Sequence, residues 1–252
     1  MKKVLLTVAY DGTGYLGYQL QNDKPTIALM LNKAAKEAFG FECNITGCSR
    51  TDSGVHALGF CATAEPKNEN DEITVPEDKI PVALNMKLPN DIVVLGAKEV
   101  EKDFHPRYSV KGKEYIYKIH DSQIPNPFYN NRVLEYGKSI SDEGVSRMNE
   151  ACKHFIGKHN FDAFMSTGSK IENTERTVYS AEVKREGDLV VFSVSADGFL
   201  YNMVRIMVGT LLKVEAGKNE PSEIADIILS KNRDRAGATS KACGLYLKKV
   251  YY

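Results

Sequence analysis

The apolar pattern of this 252-residue chain runs strand, helix, strand, strand, helix, strand, and then repeats that order, which restricts the fold more than any single motif. Lys3 to Tyr10 is β-branched and loosely alternating. Thr26 is placed to cap a helix reaching Phe39, with Gly40 as its stop and Ile27, Met30, Leu31, Ala34 and Ala38 as its apolar stripe. Strands ending at Ile45 to Gly47 and beginning at His56 to Thr63 follow, then a helix over Glu77 to Met86 and a strand over Ile92 to Val100. The second half reads Val110 to His120 (strand), Ser141 to Ile156 (helix), a hairpin of Thr177 to Arg185 and Leu189 to Ala196, Phe199 to Ala216 (helix), and Gly244 to Val250 (strand). Pro221 to Ser230 adds a short helix. Two copies of β-α-β-β-α-β predict an α+β fold of two ferredoxin-like halves, 1–106 and 107–252, with antiparallel or mixed sheets flanking a central cleft.

Between two of the first-half strands lies Gly47-Cys48-Ser49-Arg50-Thr51-Asp52-Ser53-Gly54-Val55-His56-Ala57-Leu58-Gly59. Loops carried on fixed scaffolds are where reactive side chains collect. By itself Asp52-Ser53-Gly54 is a good turn. The flanking Arg50-Thr51 adds a chemistry-bearing neighbour that a plain turn does not need.

Composition excludes several classes. No apolar run reaches membrane-spanning length and no signal peptide precedes the first strand, so a cytoplasmic protein is expected. The five cysteines form no Cys-x-x-Cys pair and read as free thiols, and His154 and His159 have no metal-ligand spacing around them, so no metal site is expected. Formal net charge is zero, yet Glu65 to Lys79 carries six acids against two lysines, and Lys231 to Tyr252 six basic residues against one acid. Phosphate affinity follows local charge density, so a basic face remains compatible with that total.

Gly12-Thr13-Gly14-Tyr15-Leu16-Gly17 fits G-x-G-x-x-G, but the polar stretch Tyr18 to Lys24 and Pro25 follow where a dinucleotide site needs a helix N-terminus. The stretch Phe199 to Leu212 is apolar nearly all round, with Arg205 its only charge. A buried guanidinium without a partner costs several kcal/mol, roughly, so a carboxylate or phosphate is expected beside it. Asn202 and Gly209 share its face, which predicts polar company and a close approach by another backbone segment. Lys111, Lys113, Tyr115 and Tyr117 alternate along one strand face, a pattern that suits RNA and equally suits an amphipathic strand with half-buried rings.

Arg50-Thr51-Asp52-Ser53-Gly54-Val55-His56-Ala57 strongly resembles the motif of the tRNA pseudouridine synthase I family, often called the TruA family. Asp11 to Gln21, Phe104-His105-Pro106-Arg107-Tyr108, the Lys-x-Tyr-x-Tyr of Lys113, Tyr115 and Tyr117, Asn202-Met203-Val204-Arg205 and Ala242 to Leu247 are similar to further family segments, so the likeness spans nearly the whole chain. The family more usually reads Gly-Ala-Gly-Arg-Thr-Asp-Ala-Gly, so Cys48, Ser49 and Ser53 depart from it. The resemblance implies isomerisation of uridine to pseudouridine at positions 38–40 of the tRNA anticodon stem-loop, without a cofactor, by a homodimer whose RNA spans both subunits. It implies Asp52 as nucleophile, Arg205 as its ion-pair partner, Tyr115 stacked on the target uracil, Arg50 filling the stack vacated by the flipped base, and Leu245 lining the uracil pocket. His105, Arg107 and Lys113 are candidates for substrate contact. On the residues alone, Leu245 is a core position and His105 a packed histidine where the halves join.

Two other functions fit parts of the pattern. An aspartic protease uses Asp-Ser-Gly but needs two such loops sharing a proton, and this chain has one. A non-catalytic RNA-binding protein of the same fold would be indifferent to loss of Asp52.

Overall fold

The computed structural model describes residues 2–21, 24–168 and 171–252. Residues 22 and 23 of the polar stretch after the glycine-rich segment, and Met1, lie outside the described residues. In the first half, β1 (Lys3–Tyr10) turns Val4, Leu6, Val8 and Tyr10 to the core, as period-two alternation requires. Helix α1 (Ile27–Phe39) starts where Thr26 Oγ1 accepts the Leu29 N–H at 3.3 Å and stops at Gly40, whose φ of 84° is the left-handed conformation glycine adopts without a Cβ penalty. Its buried face is Ile27, Ala28, Leu31, Ala34 and Ala35; Met30 and Ala38, expected in the stripe, are half-buried at its edge. β2 (Cys43–Gly47), β3 (His56–Pro66), α2 (Ile80–Asn85, preceded by a 3-10 turn over Glu77–Lys79) and β4 (Ile92–Val100) complete the half. β1 lies antiparallel between β3 and β4, and β2 pairs antiparallel with the far end of β3. The order β4-β1-β3-β2 follows from those pairings, with α1 against β2 and α2 against β4.

The second half opens with β5 (Gly112–His120), to which β6 (Leu134–Glu135) adds a short parallel pairing. Helix α3 (Asp142–Cys152) is capped by Ser141, whose Oγ accepts the Gly144 N–H at 3.0 Å, and it ends in a 3-10 turn over Lys153–Phe155. β7 (Gly157–Asn160), β8 (Glu175–Glu186) and β9 (Leu189–Ala196) give the antiparallel order β5-β9-β8-β7. The β8–β9 hairpin turns through Gly187 at φ 63°. Helices α4 (Met203–Glu215) and α5 (Glu223–Ser230) follow. α4 begins four residues later than its apolar run because Asn202 takes a left-handed conformation, φ 60°, and breaks the preceding turn.

The last strand, β10 (Leu245–Tyr251), pairs parallel with the start of β3, Tyr246 opposite His56 and Leu247 opposite Ala57. The chain therefore divides into one unit of 1–111 with 246–252 and a second of 112–245, whereas the sequence pattern places a single division at 106/107. All five cysteines are free thiols; burial pushes the Cys43 thiol up to about 11. Among the described residues no helix is long and apolar enough to cross a membrane.

Candidate active site

The loop between β2 and β3 closes as a β-turn, the Val55 N–H donating to the Asp52 carbonyl at 3.2 Å with Gly54 at φ 76°. Its frame is buried and its chemistry is not. Thr51, Val55 and His56 have at most 8% of their surface accessible, while Asp52 is half-buried and Arg50 exposed.

The glycine-rich segment after β1 holds this loop in place. Tyr10 Oη and Thr51 Oγ1 are 2.8 Å apart, the Tyr18 N–H donates to the Thr51 carbonyl at 3.1 Å, and Ser53 Oγ–H donates to the Tyr15 carbonyl at 3.1 Å. A Cβ on Gly12 would stand 2.0 Å from the Val55 carbonyl oxygen, and one on Gly17 2.5 Å from that of Thr51. These glycines thus serve close backbone approach to the loop, and residues 18–21 directly after Gly17 are not helical, where a dinucleotide site would need a helix N-terminus. Of the three departures in the loop, Ser53 makes a bond that alanine cannot, and Cys48 is a fully buried thiol whose Sγ accepts the Cys61 N–H at 3.4 Å. Nothing in the geometry explains Ser49.

The sequence pattern does not single out His56, which the structure places beside this loop. Its Nδ1 accepts the Gly12 N–H at 3.1 Å, lies 3.2 Å from Asp11 Oδ1, and its ring stacks on Tyr246 at 4.6 Å. The first loop, the start of β3 and the last strand are joined through this one imidazole. Gly12 lies 44 residues from His56, and no sequence spacing pairs Asp11-Gly12 with it. Tyr18 packs on Phe60 at 4.5 Å, with Gly47 leaving room for its ring; burial pushes its phenol well above the ordinary range.

His105 and Arg107 lie on a tight turn of the same unit. His105 Nδ1 accepts the N–H groups of Arg107 (3.1 Å) and Tyr108 (3.4 Å), and His105 N–H donates to Ser109 Oγ at 3.2 Å. Tyr252 braces the turn, donating to the Pro106 carbonyl at 2.8 Å and packing its ring on Phe104 at 5.0 Å.

In the second unit Arg205 is half-buried. Its Nε donates to the Ser240 carbonyl and its Nη1 to Asn202 Oδ1, both at 2.7 Å, while Asn202 Nδ2 donates to Ser166 Oγ at 3.0 Å. The polar company and the close approach expected on this face are both present, since a Cβ on Gly209 would stand 1.8 Å from the Ala238 carbonyl oxygen. Segment 236–240 lies along α4, fastened by Gly237 N–H to Thr210 Oγ1 at 2.8 Å and Ser240 N–H to the Arg205 carbonyl at 3.1 Å. The guanidinium is therefore aimed by its surroundings before any partner is considered.

On β5, Tyr115 is 7% accessible and meets Phe199 edge-on at 5.1 Å, Lys113 is half-buried, and Leu245 is 7% accessible. Tyr117 is fully buried, with its hydroxyl on the Lys241 carbonyl at 2.7 Å and Gly244 packed against its ring. A base cannot stack on it, so only part of the Lys-Tyr face can serve RNA. The basic tail is also partly committed: Arg233 donates to Gly237 and Thr239, and Arg235 to the Asp226 carbonyl. Among the described residues, no group of three His, Cys, Asp or Glu side chains is placed to hold a metal ion.

Comparison with known proteins places the chain in a family. The family model described as tRNA pseudouridine synthase matches residues 6–109 and 151–252, which contain Arg50, Asp52, His105, Arg107, Arg205 and Leu245 but not Lys113 or Tyr115. A protein of Acetivibrio thermocellus named tRNA pseudouridine synthase A is 43% identical over 252 residues, covering all of both chains. So is one of Clostridium perfringens named tRNA pseudouridine synthase A 2, and a Thermoanaerobacter tRNA pseudouridine synthase A is 42% identical over the same span. With the Asp52 loop and the Arg205 helix both inside the matched residues, the chain belongs to the tRNA pseudouridine synthase family.

Proposed function

We propose that this protein isomerises uridine to pseudouridine in the anticodon stem-loop of tRNA, at positions 38–40, with Asp52 as nucleophile. The observation that carries the reading is a half-exposed carboxylate on a loop whose frame is otherwise buried and hydrogen-bonded. A nucleophile held that way loses little freedom on reaching the transition state.

The reaction breaks the bond from N1 of uracil to C1′ of the ribose, turns the base and joins C5 to C1′; N1 gains a proton and C5 loses one. It is redox-neutral. Asp52 attacks either C1′ of the ribose or C6 of the uracil. Arg205, aimed by Ser240 and Asn202, pairs with Asp52 and keeps it ionised and oriented. Tyr115 stacks on the uracil, and Leu245 lines its pocket. Exposed Arg50, two residues from the nucleophile, fills the stack left by the flipped base. His105, Arg107 and Lys113 contact the RNA beyond the target. The enzyme works in the cytoplasm as a homodimer, each tRNA touching both subunits.

The test is tritium release from tRNA labelled at C5 of uridine, with wild type and Asp52→Ala compared. Release by wild type alone, with tRNA binding retained in the variant, supports the reading. No release by either protein from unmodified tRNA, with binding intact, favours a non-catalytic RNA-binding protein and ends it.

A further inference from the structure

Tyr108 has no part in the chemistry above, yet 79% of its surface is open to solvent. Single exposed aromatics are common, so exposure alone decides nothing. What sets this ring apart is how it is held. It leans on the His105 ring, centroids 4.3 Å apart and planes at 33°. His105 is itself fixed, because its Nδ1 accepts both the Arg107 and the Tyr108 N–H groups. The same turn is closed by the Ser109 N–H on the His105 carbonyl at 2.9 Å and pinned from below by Tyr252 on Pro106. Tyr108 is therefore an aromatic face backed by a second ring on a rigid turn, with its outer side open.

Its neighbours supply what a nucleotide needs besides stacking. With Nδ1 acting as acceptor, the imidazole proton sits on Nε2, a donor on the ring edge away from the backbone. Arg107, between the two rings in sequence, is exposed. A stacking face, an N–H donor and a guanidinium within four consecutive residues match an unpaired base and its phosphate, the combination by which single-stranded RNA is held.

We infer that Tyr108 is a stacking platform for an unpaired nucleobase of the RNA other than the target uridine, with Arg107 on the adjoining phosphate. This rests on tRNA being the substrate. Binding is carried by the ring face rather than the hydroxyl, so Tyr108→Phe retains it and Tyr108→Ala loses it.

The experiment measures equilibrium binding of unmodified tRNA by fluorescence anisotropy, and kcat and KM by tritium release, for wild type, Tyr108→Phe and Tyr108→Ala. Tyr108→Ala should weaken binding and raise KM roughly five- to hundredfold, the range of one lost base stack, with kcat within about twofold of wild type. Tyr108→Phe should match wild type in both. Wild-type affinity in Tyr108→Ala overturns the proposal, as does an equal loss in Tyr108→Phe. A change in sedimentation of Tyr108→Ala with unchanged tRNA affinity places a second copy of the chain on the ring and also overturns it. Because binding is read apart from turnover, a wild type that binds tRNA without releasing tritium counts against the catalytic reading and leaves the Tyr108 comparison standing.

Discussion

Tyr10 and Thr51 meet through their hydroxyls, 2.8 Å apart in a buried site, and so tie the end of β1 to the residue before Asp52. Removing one hydroxyl leaves the other buried without that partner, at a cost of about 1–2 kcal/mol. Tyr10→Phe and Thr51→Val should each lower the urea midpoint and slow pseudouridine formation several-fold, with tRNA affinity unchanged. The double variant should lose less than the sum of the two, since both remove one interaction. Simple additivity in a double-mutant cycle would mean that this pair does not hold the loop.

Gly209 lies inside α4, where replacing glycine by alanine ordinarily stabilises by about 1 kcal/mol. Here the added Cβ would meet the Ala238 carbonyl oxygen at 1.8 Å, and Gly237 on the facing segment is equally tight against Gly209. Gly209→Ala should therefore reverse the usual sign and destabilise by about 2–3 kcal/mol. Gly96 in β4 has nothing within 4 Å of its added Cβ, so Gly96→Ala should stay within about 0.5 kcal/mol of wild type. Denaturant titration of the two variants decides the matter. Arg205 would also shift with segment 236–240, so Gly209→Ala should lose turnover beyond its loss of fold.

The contrast between these residues shows what the sequence makes legible. The order of the long elements, the caps of α1 and α3 and the exposed position of Arg50 follow from local rules of period and capping, which a sequence carries on its surface; the short strands β6 and β7 do not. Gly12 and Gly17 look like a phosphate loop in sequence and prove to be the seat of the Asp52 loop, because the partner that needs their missing side chains lies some forty residues on. His56 is hidden for the same reason: its partners come from two segments far from it in the chain, Asp11-Gly12 and Tyr246. Tyr117 shares a strand face with Tyr115 but not its environment, since a neighbouring loop covers it. Alternation predicts the face and says nothing of what is laid across it.

Two substitutions at Tyr115 test stacking against proton transfer. Tyr115 is 7% accessible with its ring set edge-on to Phe199, and a phenylalanine fits the same space. If stacking on uracil is its whole contribution, Tyr115→Phe keeps kcat near wild type while Tyr115→Leu loses it. Loss of a factor of about ten to a hundred or more in Tyr115→Phe, with tRNA binding intact, would assign the hydroxyl a role in moving the C5 proton.

Acid should weaken the second unit through Asp121. Its side chain is 5% accessible, and the carboxylate accepts two parallel bonds from Arg185, at 3.1 and 3.0 Å, and one from the Ile140 N–H at 2.9 Å. Burial works against ionisation, but the Arg185 bonds and the Ile140 N–H together outweigh it and hold the carboxyl below the usual range. A carboxyl depressed by folding contributes stability that is complete above its unfolded value, about 4, and is lost as pH falls through the lower folded value. Urea midpoints measured from pH 7 down to pH 2 should fall more steeply for wild type than for Asp121→Asn, the two curves converging at the acid end. At neutral pH Arg185→Met should cost about 3 kcal/mol, because it strands a buried carboxylate, and Arg185→Met with Asp121→Asn should recover part of that loss. Parallel acid limbs for wild type and Asp121→Asn would place the acid-sensitive carboxylate elsewhere in the chain.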